Sequence, residues 1–155
     1  MNRFALINFV WLFSFTFLFK KMISAKIIKI ASFTKNVGLK NIFTHRSIIK
    51  NSLCGDIIKT EFIINKSSIK SMRYETESCI LCEASASLFS RKIKNQNIDD
   101  LIKEIKNFKN YIKKNEKIIP SKFKEFNQLL DKKTNNRSNC VILPMEAFLK
   151  ALKIN

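Results

Sequence analysis

The sequence predicts an α+β fold, a small three-stranded antiparallel sheet with helices packed on one of its faces. Three observations lead there. Two runs of alternating apolar residues, Ile57 to Asn65 and Ile69 to Thr76, flank a short polar turn, the pattern of half-buried paired strands. From Asn97 onward the apolar residues recur at helical spacing instead. Only two glycines and two prolines among 155 residues argue against a loop-rich architecture.

Taken in chain order, Ile23, Ile27, Ile30, Ala31 and Phe33 place a short helix between Met22 and about Asn36. A loop from Thr34 to Gly38 ends it, glycine being a natural helix terminator. Residues 39–50 read as irregular or extended, with Ile48-Ile49 at a strand end. Cys54-Gly55-Asp56 is a turn. In the next strand Ile58, Phe62 and Ile64 alternate with Lys59, Glu61 and Ile63. The turn Asn65-Lys66-Ser67-Ser68 leads to a strand with Met72 and Tyr74 on one face. Cys79 opens a segment whose small run Ala84-Ser85-Ala86-Ser87 allows close approach to a sheet or another helix. Asn97 caps a further helix, with Asp99 and Asp100 in its first turn and Leu101, Ile105, Phe108 and Ile112 on one stripe. Phe123, Phe126, Leu129 and Leu130 continue a helical pattern after Pro120. A polar loop from Asp131 to Ser138 delivers Cys140. Pro144 stands near the first turn of a last helix that carries Met145, Phe148, Leu149 and Leu152.

The formal charge of +17 invites a nucleic-acid or anionic-membrane reading. Yet the lysines spread through the whole second half, as Lys103, Lys106, Lys109, Lys113 and Lys117 do, with no interleaved aromatic-and-glycine binding motif. A solvated basic face is therefore expected, and no nucleic-acid partner. Four cysteines in a chain long enough to fold without staples point to reduced thiols that serve a metal or chemistry. Residues 1–21 differ from the rest. Phe4 to Phe19 is almost continuously apolar, with Arg3 before it and Lys20-Lys21 after it. The run is slightly short of the ~20 residues of a spanning helix and lacks a small-residue cleavage site. Membrane anchor, signal, or upstream extension before a start at Met22 are the three readings; the last fits a reduced-thiol protein of the cytoplasm or an equivalent reducing compartment. The folded domain is then residues 22–155.

Chemistry concentrates at Cys54, Asp56, Cys79 and Cys140. Three thiolates and a carboxylate can saturate a tetrahedral zinc site or hold an iron–sulfur cluster. Gly55 permits a tight turn that lets Asp56 point back toward Cys54. Cys79 and Cys140 are placed at helix N-termini, where free amides and the helix dipole are expected to lower a thiol pKa. The alternative that spacing leaves open is that all three are small buried apolar side chains. Cys82 makes Cys79-x-x-Cys82, read as either a metal or redox pair or a packed thiol. His45, the one histidine, reads as a surface residue in a loop.

Asn51-Ser-Leu-Cys-Gly-Asp56, Glu77-Ser-Cys-Ile-Leu-Cys-Glu-Ala-Ser-Ala-Ser87 and Arg137-Ser-Asn-Cys-Val-Ile-Leu143, with the loop Thr34-Lys-Asn-Val-Gly38, resemble the U-type iron–sulfur scaffold family (IscU, SufU and the NifU N-terminal domain). The likeness covers about residues 25–155. The long spacing from Cys79 to Cys140, and Arg137, look like the SufU branch.

This resemblance implies that Cys54, Cys79 and Cys140 are cluster or zinc ligands. Asp56 would be the fourth ligand, or the group that keeps a cluster labile. Cys140 would accept persulfide sulfur from a cysteine desulfurase. It implies a non-enzymatic scaffold that binds iron and sulfide and passes a [2Fe–2S] cluster to apo iron–sulfur proteins, or alternatively a Zn²⁺-dependent sulfurtransferase. The chain departs from the pattern at Asn139, where the IscU branch has His and the SufU branch Lys, and it lacks the Leu-Pro-Pro-Val-Lys motif of the IscU branch.

Overall fold

The computed structural model describes residues 25–114, 118–130 and 137–154. The apolar segment of residues 1–21 and most of the polar loop before Ser138 lie outside them. The described chain runs α1 (Ala25–Ala31), β1 (His45–Lys50), β2 (Ile57–Asn65), β3 (Ser68–Glu77), α2 (Ile80–Lys92), α3 (Ile98–Lys114), a 3₁₀ helix (Ser121–Leu129) and α4 (Ser138–Ala151). The architecture is α+β: an antiparallel sheet in the order β1-β2-β3, with α2 and α4 laid against it.

The hairpin forms where alternation predicts it, and a bulge refines it. Ile63 pairs with Ser71 but Ile64 pairs with Ile69, so Lys70 is the extra residue on β3. That one-residue slip turns Ile69 inward together with Met72 and Tyr74, although their spacing alone would place Ile69 on the other face. β1 is a full six-residue strand, not only a strand end, and His45 is its first residue rather than a loop residue. Glu61, expected on the outer face, is buried; its carboxylate accepts the backbone N–H groups of Lys40 and Asn41 and so ties the incoming loop to β2.

α1 ends at Ala31 rather than near Asn36. The following residues serve β3 instead: Tyr74 N–H donates to the Asn36 carbonyl at 3.1 Å, and Gly38 N–H donates to the Tyr74 carbonyl at 2.8 Å. The small run of α2 explains its central position. Residues 84–87 are fully buried, Ser85 donates to the Val141 carbonyl of α4, and Ser87 donates to the Ile30 carbonyl of α1 at 2.8 Å. Larger side chains there would separate the helices. Phe148 of α4 then meets Phe62 and Phe89 edge-on, with ring centroids 5.3 and 6.2 Å away.

Phe123, Phe126 and Leu129 do share a buried face, but on a 3₁₀ helix, whose three residues per turn align positions three apart. Leu130 falls outside it. Pro144 is interior to α4, not near its start, because the helix begins at Ser138. Burial of Cys140, Val141, Ile142 and Leu143 draws the first turns into the core, each large apolar side chain contributing about 1.5–3 kcal/mol. Asn97 caps α3 as its sequence indicates, its Oδ1 accepting the amides of Asp99 (2.9 Å) and Asp100 (3.3 Å). Asn97→Ala is expected to lower stability by about 1 kcal/mol, read as a reduced urea midpoint at unchanged slope.

Candidate functional site

Three chain segments far apart in sequence end at one place. The β1–β2 hairpin closes through Asn51 N–H to the Asp56 carbonyl (2.8 Å) and Gly55 N–H to the Asn51 carbonyl (2.9 Å), presenting Cys54 at its tip. Gly55 sits at φ +77°. A side chain there would meet nothing within 4 Å, so the position needs glycine for its backbone conformation and not for space. Because Ile57 pairs with Glu77, the register sets Asp56 beside the exit of β3, where Cys79 caps α2. The first turn of α4 brings Cys140 to the same spot.

The result is a compact donor set. The sulfurs of Cys54 and Cys140 are 3.4 Å apart, and the ligand atoms of Cys54, Asp56 and Cys140 all lie within 4.8 Å of one another. For comparison, tetrahedral zinc with bonds of about 2.3 Å separates its sulfurs by about 3.8 Å. Cys79 stands at the rim of this group: its N–H donates to Asp56 Oδ1 at 3.0 Å, and its thiol lies beside Asp56 and Cys140. Asp56 Oδ2 is buried with no hydrogen-bond partner among the described residues. A buried carboxylate oxygen without a partner is costly, and a cation would relieve it. The residues thus fit a soft, thiophilic metal with one oxygen donor.

Exposure separates the thiols. Cys54 is exposed, Cys79 half-buried, and Cys140 only 2 % exposed. Cys82 is fully buried in the core and is not one of the converging donors, so the packed-thiol reading of it is the one the structure supports.

The expected lowering of the thiol pKa values is reversed by burial. Burial pushes the Cys79 and Cys140 thiols up, and the neighbouring Asp56 carboxylate adds to this in both. These effects outweigh the helix N-termini. Asp56 moves the other way: burial pushes its carboxyl up, but the amide N–H of Cys79 on Oδ1 and the nearby thiol dipoles favour its anion and hold the pKa below its ordinary value. A bound cation would reverse the thiol shifts, so loading releases protons and weakens as pH falls.

Cys82 allows a clean test of sign. Burial pushes its thiol from 9.0 up to about 12. A thiol raised on folding contributes stability below its unfolded pKa and loses it as pH rises toward the folded value. The reduced, metal-free protein is therefore expected to lose Tm as pH rises above about 9, and Cys82→Ala to flatten part of that slope.

Two supporting residues had no assigned role in the sequence. Asn51 Oδ1 accepts Leu53 N–H at 3.0 Å, shaping the turn that holds Cys54; an Asn opening a turn is the signal that could have found it. Glu83 accepts hydrogen bonds from Thr76 and Tyr74, pinning the first turn of α2 to β3. Only its place in that first turn hinted at this. A cavity of about 380 Å³ between α2, α3 and the 3₁₀ helix is lined by Leu88, Ile93, Leu101 and Phe123 among others and contains none of the converging donors. No helix of the described residues is long and apolar enough to cross a membrane.

Comparison with known proteins agrees with this fold. Residues 22–153 match the family model described as the NifU-like N terminal domain. The fold is similar to the N-terminal part of a NifU-like protein from Brucella abortus (TM-score 0.73, 15% identity, covering 84% of this chain and 91% of that one). It is also similar to a protein from Fervidobacterium islandicum described as an iron–sulfur cluster assembly scaffold for the SUF system (TM-score 0.74, 20% identity, covering 84% and 96%). No curated protein sequence matches the chain.

Proposed function

The chain belongs to the family of NifU-like N-terminal domains, and from that premise we propose that it is a scaffold for iron–sulfur cluster assembly. Iron and sulfide are its cargo, held on Cys54, Cys79 and Cys140 with Asp56 as the oxygen donor, and a [2Fe–2S] cluster leaves it for apo-proteins. The observation that carries this reading is the convergence of Cys54, Asp56 and Cys140 within 4.8 Å, with an unpartnered Asp56 Oδ2. An oxygen bound to a soft cluster is displaced more easily than a fourth thiolate, which suits a carrier that must release its load. On this reading the chain itself performs no catalytic step.

A second reading, a zinc-dependent sulfurtransferase, is favoured by the unequal exposure of the thiols. Zn²⁺ bound to the same four residues would organise them and favour thiolates. Cys54, alone exposed, would take sulfur from outside. The sulfur source is a cysteine desulfurase, and Leu53, 77% exposed beside Cys54, offers apolar contact to it. In that transfer the Cys54 thiolate attacks the outer sulfur of the donor persulfide. The donor's S–S bond breaks, its cysteine leaves as thiolate, and Cys54 carries the new persulfide. The burial of Cys140 argues against it as the first acceptor. With a desulfurase and cysteine, persulfide is expected at Cys54 by peptide mass analysis, and Cys54→Ser should abolish labelling while Cys140→Ser retains it. Labelling confined to Cys140 would reverse the assignment.

The function is tested by iron, zinc and acid-labile sulfide per chain, on protein purified without oxygen after co-expression with a desulfurase. Iron and sulfide in equal amounts support the carrier; about one zinc without sulfide supports sulfur transfer. Neither would refute both.

A further inference from the structure

We propose that Cys54 and Cys140 form a site of reversible two-electron oxidation by hydroperoxides, closing to a disulfide across the mouth of the donor set. Their sulfurs are 3.4 Å apart although 86 residues separate them in the chain. A disulfide bond of about 2.05 Å therefore requires the sulfurs to approach by only about 1.4 Å. The two partners differ as such a pair should. Cys54 is exposed at a hairpin tip with open space beside Gly55, so it can meet the oxidant and move. Cys140 is held in the first turn of α4, nearly inaccessible, and serves as the resolving thiol.

The chemistry balances without another reagent. The Cys54 thiolate attacks the terminal oxygen of the hydroperoxide. The O–O bond breaks, and with one proton the oxidant leaves as an alcohol, or as water when it is hydrogen peroxide. Cys54 becomes a sulfenic acid. The Cys140 sulfur then displaces hydroxide from it, its thiol proton completing a water molecule, and the S–S bond forms. Two thiols have lost two electrons and one hydroperoxide has gained them. Cys140 is the thiol in direct contact with Cys54, whereas the Cys79 thiol stands beside Asp56 and Cys140 and Cys82 is packed in the core. On the metal-site reading above, oxidation removes two of the four donors and prevents loading.

The test uses the full chain, reduced and metal-free, treated with equimolar hydrogen peroxide, alkylated and mapped by mass spectrometry. The expected product keeps two of its four cysteines as free thiols and contains a peptide linking Cys54 to Cys140 that dithiothreitol reverses. Cys54→Ser should yield no link, and in Cys140→Ser the unresolved Cys54 should stop at sulfenic acid, trapped by dimedone, and advance to sulfinic acid only when a second equivalent of peroxide is added. Sulfinic acid at Cys54 of the unaltered protein, a link through Cys79, or links only between chains would each overturn the proposal. Zinc uptake of both forms separates this idea from the functional one. Uptake by the reduced form that disappears on linking supports both. A link that forms in a protein taking up neither zinc nor, with a desulfurase, iron and sulfide supports the redox pair and refutes the metal site.

Discussion

Cys54→Ser, Cys79→Ser and Cys140→Ser, made singly, are each expected to weaken retention of zinc or of an iron–sulfur cluster on the order of a hundredfold or more, exceeding the 10–100-fold typical of residues that only orient ligands. The reason is chemical. A serine hydroxyl keeps its proton at neutral pH and is a poor donor for a soft metal, so under the proposed function each change removes one of four donors. The three variants also test the geometry. Cys54 and Cys140 belong to the close group, whereas Cys79 stands at its rim with a backbone N–H on Asp56, which Cys79→Ser leaves intact. A Cys79→Ser protein that loads normally would reduce the site to Cys54, Asp56 and Cys140. Full retention by all three variants would eliminate the thiol site. Cys82→Ala is the control: it should load fully, since its thiol lies in the core, while losing some thermal stability.

Asp56 variants are expected to hold a cluster longer, the lifetime rising about tenfold if one labile oxygen donor accounts for about 1.4 kcal/mol of the release barrier. The two carboxylate oxygens have different tasks. Oδ1 accepts the Cys79 amide, and Oδ2 has no partner among the described residues. Asp56→Ala removes both, so its effect on cluster release is mixed with an unanchored start of α2. Asp56→Asn retains an amide-accepting oxygen while removing the anionic donor. Asn should therefore lengthen the lifetime with little change in melting temperature, whereas Ala lengthens it and also lowers the melting temperature of the empty protein. Decay of the visible cluster absorbance after exposure to a chelator measures both, and a shorter lifetime in Asp56→Asn would refute the role given to this oxygen.

Much of the fold was legible because its signals are local. The strands at 57–65 and 69–76 follow from alternation, the α3 boundary from Asn97 and two following aspartates, and the close packing of α2 from Ala84 to Ser87. The misread features depend on distant partners. α1 stops early because Asn36 to Gly38 are taken up by β3. α4 starts early because Cys140 to Leu143 gain more by burial than Pro144 costs inside a helix. Glu61 looks like an outward strand residue until the loop at Lys40 and Asn41 supplies its hydrogen bonds. The thiol pKa directions were misjudged for a similar reason: a helix N-terminus can be read from sequence, but burial and the approach of Asp56 cannot.

By itself, the sequence determined which residue types are available for chemistry and where short-range order forms. It supplied three separated thiols, an aspartate held next to one of them by a glycine turn, and the family those motifs resemble. Only the tertiary structure decided that a hairpin tip, the exit of β3 and the first turn of α4 meet, so that Cys54, Asp56 and Cys140 form one donor set while Cys82, three residues from Cys79, is excluded from it. The physical reason is that ligand convergence is a long-range property. It is set by strand register and by the burial of α2 and α4 against the sheet, neither of which any short stretch of the chain encodes.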